Sequence, residues 1–336
     1  MISGFVQLFR KQPPVKLAFI LDPIANLDPC HDTTVAFMEA AQLLGHEVWI
    51  TSIEQLSIKD HQAWATLQAV ELTPVRLENS LWVAEKEWFR LGERQFLPLT
   101  EMNAVFMRTD PPVTSAYLYA TYILDLLTAT KTLVLNNPQG IRAANEKLYA
   151  LRFPTVIPES IITTEKAVAR QFIEAKGKAV IKPLGGKAGE GILLIEKGDR
   201  NFNSLLEIST KQGTEPVMVQ EFLPAAKDGD KRLIVLDGEP IGAVNRIPTG
   251  DDFRGNMAVG GRIAQVEITA RDREIAATLA PQLRADGLYF VGLDIIGGYV
   301  TEVNVTSPTG VREADRLDGV SLGKQVIEWV AARTSS

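Results

Sequence analysis

"VGLDIIGGYVTEVNVTSP", residues 291–308, decides how the rest of the chain is read. Gly297 and Gly298 separate two apolar, alternating runs, the pattern of a β-hairpin. On the second run Thr301, Val303 and Val305 share one face, and Glu302, Asn304 and Thr306 share the other. Asn is poorly suited to strands, so an amide two residues from a carboxylate asks for a reason. A three-residue loop, 297–299, with a glycine in the left-handed region sets Asp294 opposite Glu302, on the side that carries Asn304. A two-residue turn instead pairs Asp294 with Thr301. Two carboxylates and one amide oxygen on one face suit a hard cation, and Mg2+ binds few protein ligands while keeping places for phosphate oxygens. The plainer reading is a polar strand edge, with Asn304 starting a turn.

Two further stretches point to anions. In "IKPLGGKAGEG" (181–191), Lys182 lies inside an apolar strand, where a lysine is costly unless paired. Gly185, Gly186, Gly189 and Gly191 beyond it can present backbone N–H groups to phosphate. No G-K-[ST] closes the loop, so it is not a Walker A loop. It also reads as a hairpin turn beside a lysine that buries only its stem. Arg232, Arg246, Arg254 and Arg262 gather around the polar, Gly-rich stretch 250–261. Arginine grips carboxylate and phosphate with a planar fork. Each alone reads as a solvated surface residue; their density around one loop suggests an anion pocket.

The bulk properties exclude several classes. With 336 residues, 46% hydrophobic and 23% charged, the chain fits two or three soluble domains. Its net charge of -6 comes without the Lys/Arg run of a nucleic-acid groove. The single Cys30 forbids an internal disulfide, which suits a reducing cytosol, so a cytoplasmic location is expected. His31, His46 and His61 are spaced badly for zinc or for a Ser-His-Asp triad. No apolar run nears the roughly 20 residues of a membrane helix. The opening 1–14 lacks the features of a secretory signal and reads as a flexible arm.

Along the chain, "VKLAFILD" (15–22), a helix from Asp32 or Thr33 to Gly45, and "EVWIT" (47–51) make a β-α-β unit with parallel strands. Residues 54–100 resist reading. Strands at 104–112 and 132–138 flank a helix at 115–130, which completes an α/β domain. Its first turn, "DPIANLDPC", lacks G-x-G-x-x-G, against a dinucleotide fold. After residue 150 the pattern becomes antiparallel α+β. A hairpin spans 178–197, a helix 201–213 and a strand 216–224. Then come a hairpin turning at Asp237-Gly238, a strand at 262–268 and a helix at 271–286. The hairpin through 306 and a terminal helix at 321–333 end the pattern.

Taken in order, Lys147, Lys182 with its glycine loop, "QEFLPAAKDGDKR", "RIPTGDDFRGNMAVGGR", "GLDII" and "TEVNVTSPT" resemble the bacterial glutathione synthetase family of ATP-grasp ligases. "FILDPIANL", "MRTDPP" and "NEKLYA" extend the resemblance, which covers residues 15 to about 330. It implies an N-terminal α/β pre-ATP-grasp substrate domain (15–140), a central lid (141–220) and a C-terminal antiparallel catalytic domain (221–336). ATP would lie between the last two. It implies that Lys147 and Lys182 contact the ATP phosphates under the loop Gly185–Gly191. Gln220, Glu221, Phe222 and Leu223 would hold the adenine, with Asp230 close by. Asp294, Glu302 and Asn304 would hold two Mg2+, with Mn2+ as an alternative and Glu302 bridging. Arg232, Arg246, Asn256, Arg262 and Ser307 would surround the peptide and phosphate, with Arg254 in a loop that closes on them. The loop differs from the family's usual second glycine pair by having Ala188-Gly189, which implies a slightly stiffer loop.

The reaction implied joins γ-glutamylcysteine to glycine with ATP through an acyl phosphate. No protein nucleophile is needed, and Arg246 is the candidate for stabilising the developing oxyanion. The stretch 248–262, with Gly250, Gly255, Gly260 and Gly261, has the composition of a closing lid. The resemblance also implies a homotetramer or homodimer. Two rivals are another ATP-grasp ligase, such as a D-alanine–D-alanine ligase, and a nucleotide-binding module without turnover.

Overall fold

The computed structural model describes residues 13–186, 189–249 and 261–334. The first unit begins with β1 (Lys16–Ile20), α1 (Thr33–Leu43) and β2 (Glu47–Thr51). The Asp32 side chain caps α1 by accepting from the Val35 N–H, and Gly45, at φ 84°, lets the chain leave it. Next come β3 (Leu56–Lys59), β4 (Gln62–Leu72), β5 (Arg76–Glu78), β6 (Leu81–Val83), β7 (Phe89–Pro98), β8 (Ala104–Met107), α2 (Ser115–Leu124) and β9 (Leu133–Leu135). Among the described residues the main sheet here has seven strands, in the order β3-β4-β2-β1-β8-β9, with β7 also paired to β4. The β1, β2, β8 and β9 half is parallel, as the sequence suggests. The unread stretch 54–100 supplies an antiparallel half, so the sheet is mixed.

After α3 (Pro138–Ala143) and α4 (Glu146–Ala150), a second unit holds β10 (Ser160–Thr163), α5 (Lys166–Lys176), β11 (Lys178–Pro183), β12 (Leu193–Glu196), α6 (Phe202–Ser209) and β13 (Val217–Glu221). Its four antiparallel strands lie in the order β10-β13-β11-β12. They bury their own core, including Ile173, Ile181, Ile195, Phe202 and Leu206.

The third unit holds β14 (Asp230–Leu236), β15 (Glu239–Ile247), β16 (Arg262–Gln265), α7 (Ala270–Ala285), β17 (Phe290–Ile296), β18 (Tyr299–Asn304), α8 (Val311–Asp318) and α9 (Leu322–Thr334). Its strand order is β16-β15-β14-β17-β18. Asp237 at φ 51° and Gly238 at φ 79° make the expected two-residue turn. Helix α4 packs against this sheet, not the four-stranded one. Glu146 accepts hydrogen bonds from the Val305 and Thr306 N–H groups, and the Val300 N–H donates to Val156 O. Both large apolar clusters combine side chains of the first and third units.

The hairpin of β17 and β18 corrects one detail of the sequence reading. Its turn is the two-residue Gly297-Gly298, since Ile296 pairs with Tyr299 and Ile295 with Val300. The ladder then slips, and Asp294 pairs with Glu302. Thr301 is thus the extra residue of a β-bulge. The carboxylates face each other as expected, through a bulge and not through a three-residue loop.

Candidate active site

Strand pairing assembles a row of charge. Across β14, β17 and β18, Arg232 pairs with Asp294 and Asp294 with Glu302; across β15 and β14, Arg246 pairs with Asp230. Directly paired residues point to the same face. The four-stranded sheet closes over this row, leaving a cleft lined by Lys147, Lys182, Gly186, Asp230, Asp294 and Glu302, among others.

Every acid in the row has a cation. Arg232 Nε donates to Asp294 Oδ1 at 2.5 Å and its Nη2 to Oδ2 at 3.1 Å. Arg246 Nη2 lies 2.9 Å from Asp294 Oδ2 and 2.6 Å from Asp230 Oδ2. Lys147 Nζ lies 2.9 Å from Glu302 Oε1 and donates to Gly186 O at 3.0 Å. Burial alone would raise Asp294, but Arg232 and Arg246 overcome it and hold the carboxyl well below its ordinary range. Burial likewise pulls Arg246 down, and Asp230 with Asp294 reverses the effect, so the guanidinium ends above its usual value. Asp230 is pushed up to about 7, first by burial and then by Asp294, against Arg246. Its Oδ1 has no hydrogen-bond partner among the described residues.

Desolvation lowers Lys182, with Lys147 adding repulsion and Glu302 opposing it. Its ammonium donates to Gln220 Oε1 at 2.8 Å, and Gln220 Nε2 donates to Ser160 Oγ at 3.0 Å. Lys182 is therefore paired through an amide, and Gln220 links it to the strand that borders the expected adenine pocket. Val180, Ile192, Phe222, Leu223 and Ile296 line that end, with Glu221 beside them. Lys178 Nζ sits 4.7 Å from the Phe222 ring centre. This mix of apolar walls and few polar groups suits a planar base.

In the glycine loop, Gly186 and Gly189 line the cleft. Gly191 stands at φ 68° with Pro183 Cγ 2.9 Å from where a Cβ would sit. A Cβ on Gly186 would meet Glu190 O at 2.9 Å, whereas Gly185 faces open space. Asn304 follows Glu302 on β18, and its Nδ2 donates to Gly292 O at 3.2 Å. Ser307 Oγ donates to Arg108 O at 3.2 Å. Arg262 is exposed on β16, paired with Ile247. Arg254, Asn256 and residues 250–260 of the expected lid at 248–262 lie outside the described residues.

The donor set fits hard divalent cations. Asp294 and Glu302 supply carboxylates and Asn304 an amide oxygen, all oxygen ligands of the kind Mg2+ and Mn2+ take. Among the described residues no three of His, Cys, Asp and Glu gather as a metal set, so the amide is needed as the third donor. The buried Asp294 and the half-buried Glu302 already demand positive charge here, which Arg232, Arg246 and Lys147 supply.

Sequence reasoning missed three contributors. Thr301 lines the cleft because the bulge turns it there. Glu146 accepts from Val305, Thr306 and the Thr306 hydroxyl, fixing the chain just after Asn304; burial and then Glu302 push its carboxyl up. Arg108, buried, donates from Nε to Thr34 Oγ1 at 3.0 Å and from Nη2 to Pro308 O at 3.0 Å. The quoted motifs "NEKLYA" and "MRTDPP" hold these last two, but nothing in their spacing shows which loop they secure.

Residues 15–142 match the prokaryotic glutathione synthetase N-terminal domain, and residues 146–319 match the prokaryotic glutathione synthetase ATP-grasp domain. A glutathione synthetase of Nostoc sp. is 64% identical over 316 residues, covering 94% of this chain and 98% of its own. One of Synechocystis sp. is 63% identical, covering 94% and 99%. Among solved structures, D-cycloserine synthetase DcsG superposes with a TM-score of 0.66 at 14% identity, over 95% of this chain and 99% of its own. The ATP-grasp ligase PsnB, complexed with a minimal precursor, gives 0.61 at 19%, over 94% and 99%. These two likenesses carry the fold, and the relatives at over 60% identity carry more: the chain belongs to the prokaryotic glutathione synthetase family of ATP-grasp ligases.

Proposed function

We propose that this chain joins γ-glutamylcysteine to glycine at the expense of ATP, giving glutathione, ADP and phosphate, with the cleft between the four- and five-stranded sheets as its active site. Family membership over nearly the whole chain supports the activity. The observation that carries the site is the facing pair Asp294 and Glu302, ringed by Lys147, Lys182, Arg232 and Arg246. Family membership also sets aside the D-alanine–D-alanine ligase reading.

A carboxylate and an amine do not condense at neutral pH. The peptide carboxylate attacks the γ-phosphate of ATP and becomes an acyl phosphate; the amine of glycine then displaces phosphate. Such chemistry needs alignment and charge neutralisation, not a protein nucleophile. Lys147 and Lys182 hold the phosphates, with Gly186 and Gly189 offering backbone close to them. The strand end Gln220–Leu223 and Asp230 hold the nucleoside. Asp294, Glu302 and Asn304 hold two Mg2+ or Mn2+ ions, which when bound neutralise the phosphate oxygens. Arg232, Arg246, Arg262 and Ser307 receive the peptide and the departing phosphate, joined by Arg254 and Asn256. Arg246, always charged and desolvated, is placed to meet the oxyanion of the tetrahedral intermediate.

We read residues 15–140 as the substrate domain, 141–220 as the lid and 221–336 as the catalytic domain, with 1–14 as an arm; within 141–220, α4 sits on the catalytic domain's sheet, and the four-stranded unit is the lid proper. Among the described residues no helix is long and apolar enough to cross a membrane. A cytoplasmic homotetramer or homodimer completes the reading. The test is ADP release against a panel of dipeptides and amino acids. Release that requires γ-glutamylcysteine and glycine together supports the assignment. Nucleotide binding without ADP formation would favour a module with no turnover.

A further inference from the structure

We infer that Arg232 and Arg246 hold the place of a divalent metal ion on Asp294 and are passed to the anionic peptide when metal and nucleotide bind, which couples the two binding events. This rests on the reading of Asp294, Glu302 and Asn304 as metal ligands. Both oxygens of Asp294 are taken: Oδ1 by Arg232 Nε at 2.5 Å, and Oδ2 by Arg232 Nη2 at 3.1 Å and Arg246 Nη2 at 2.9 Å. An ion bonding that carboxylate at about 2.1 Å would meet two guanidinium groups already in its coordination sphere. Like charges at such range in a desolvated site repel strongly. The arginines must give way.

The structure provides other partners for both guanidinium groups. The Arg232 stem crosses Gly292, where a Cβ would meet its Cδ at 2.8 Å, and passes Gly310, where a Cβ would come to 3.4 Å from its Cγ. A Cβ at either position would press on the stem, so the two glycines are what admit it here. Its Nη1 already donates to Thr309 O at 3.3 Å, on the loop that carries Ser307. Arg246 keeps Asp230 at 2.6 Å when it leaves Asp294. Arg232 released from Asp294 is a buried cation without its counter-charge, and the peptide carboxylate supplies one. By linkage, metal–nucleotide then tightens peptide binding, and peptide tightens metal binding by the same factor. Lys147 on Glu302 repeats the arrangement on the nucleotide side.

The experiment uses the full chain, Mn2+, a non-hydrolysable ATP analogue with an imido bridge, and γ-glutamylcysteine. Free Mn2+ is read by electron paramagnetic resonance, and arginine Nε–H groups by 15N NMR, assigned with Arg232→Lys and Arg246→Lys. Mg2+ with the analogue should move the Arg232 and Arg246 signals away from their carboxylate-bonded positions, and the peptide should move them again. The peptide should tighten Mn2+ about tenfold. Arg232→Gln should bind Mn2+ several-fold more tightly without peptide and lose most of the coupling. Lys324→Gln, which removes an exposed positive charge beside Glu328 on α9, should change Mn2+ affinity less than twofold. Unmoved Nε signals on adding metal–nucleotide, or weaker Mn2+ binding by Arg232→Gln, would overturn the exchange while leaving the metal site standing. Absence of Mn2+ binding in the parent overturns the metal assignment and the exchange together. Should Arg232→Gln fail to fold, the NMR of the parent decides.

Discussion

Glu302, not Thr301, lies across from Asp294, because one extra residue is bulged out of β18. The partly exposed Glu302 is, of the two carboxylates in the proposed metal site, the one that can be altered with less harm to the fold. Glu302→Gln keeps the shape and removes the charge. We expect turnover to fall about a thousandfold, equivalent to roughly 4 kcal/mol of transition-state stabilisation. Circular dichroism and the melting temperature should stay near those of the parent. Near-normal turnover would refute the metal role.

Lys147 ties two parts of the cleft together, through Glu302 and Gly186 O. A charge-assisted bond of this kind is worth roughly 1.5–3 kcal/mol. Lys147→Met should raise the KM for ATP by about ten- to a hundredfold, while the KM for γ-glutamylcysteine changes far less. Equal changes in both constants would mean that the lysine acts on the whole cleft and not on the nucleotide.

The glycines of the loop are not equivalent. Gly191 combines φ 68° with Pro183 Cγ at 2.9 Å, so Gly191→Ala is strained on two counts. We expect it to lower kcat/KM for ATP about tenfold or more. Gly185→Ala meets nothing and should stay within about twofold of the parent. The reverse ranking in steady-state kinetics would show that the loop reorders when ATP binds.

Asp315 gives a pH-dependent stability. Its carboxyl is pushed up to about 6 by burial, against the Leu322 N–H, which donates to it at 2.7 Å, and against Arg312. A raised acid is stabilising while protonated. That contribution is complete below the unfolded value of 3.8 and is lost as pH rises through about 6. Asp315→Asn keeps the acceptor for Leu322 and removes the charge. It should be more stable than the parent by roughly 3 kcal/mol at pH 8 and by less than about 1 kcal/mol at pH 4. Denaturation at the two pH values checks both limbs; a gap at pH 4 that is absent at pH 8 has the wrong sign.

Much of the fold is legible where alternation and turn residues agree. The unit from β1 to β2, the turn at Asp237-Gly238 and the β11–β12 pair stand where the pattern puts them. Residues 54–100 were opaque for a physical reason: most of β7 is exposed on both faces, so it carries no apolar alternation. Helix α8 was hidden by its charge. Val311 and Ala314, three apart and buried, with Gly310 and Gly319 at positive φ on either side, were its signals. The carboxylate pair could be read because side-chain alternation is local. The turn length was misjudged because a bulge leaves no mark in composition. The clamp on Asp294 could not be read, since it depends on β14 lying beside β17, an order that a sequence separation of 62 does not encode.

Asn136, just past the end of β9, donates to Phe290 O at 2.8 Å and Val305 O at 2.9 Å, and accepts from the Phe290 N–H. One side chain thereby rivets the edge of the mixed sheet to both strands of the acidic hairpin. Arg108 on Pro308 and Thr33 on the Val311 N–H add further rivets. The small sheet, with its separate core, has no share in them. Any opening of the cleft would therefore shift the small sheet against the mixed sheet and the acidic hairpin, which stay pinned as one block.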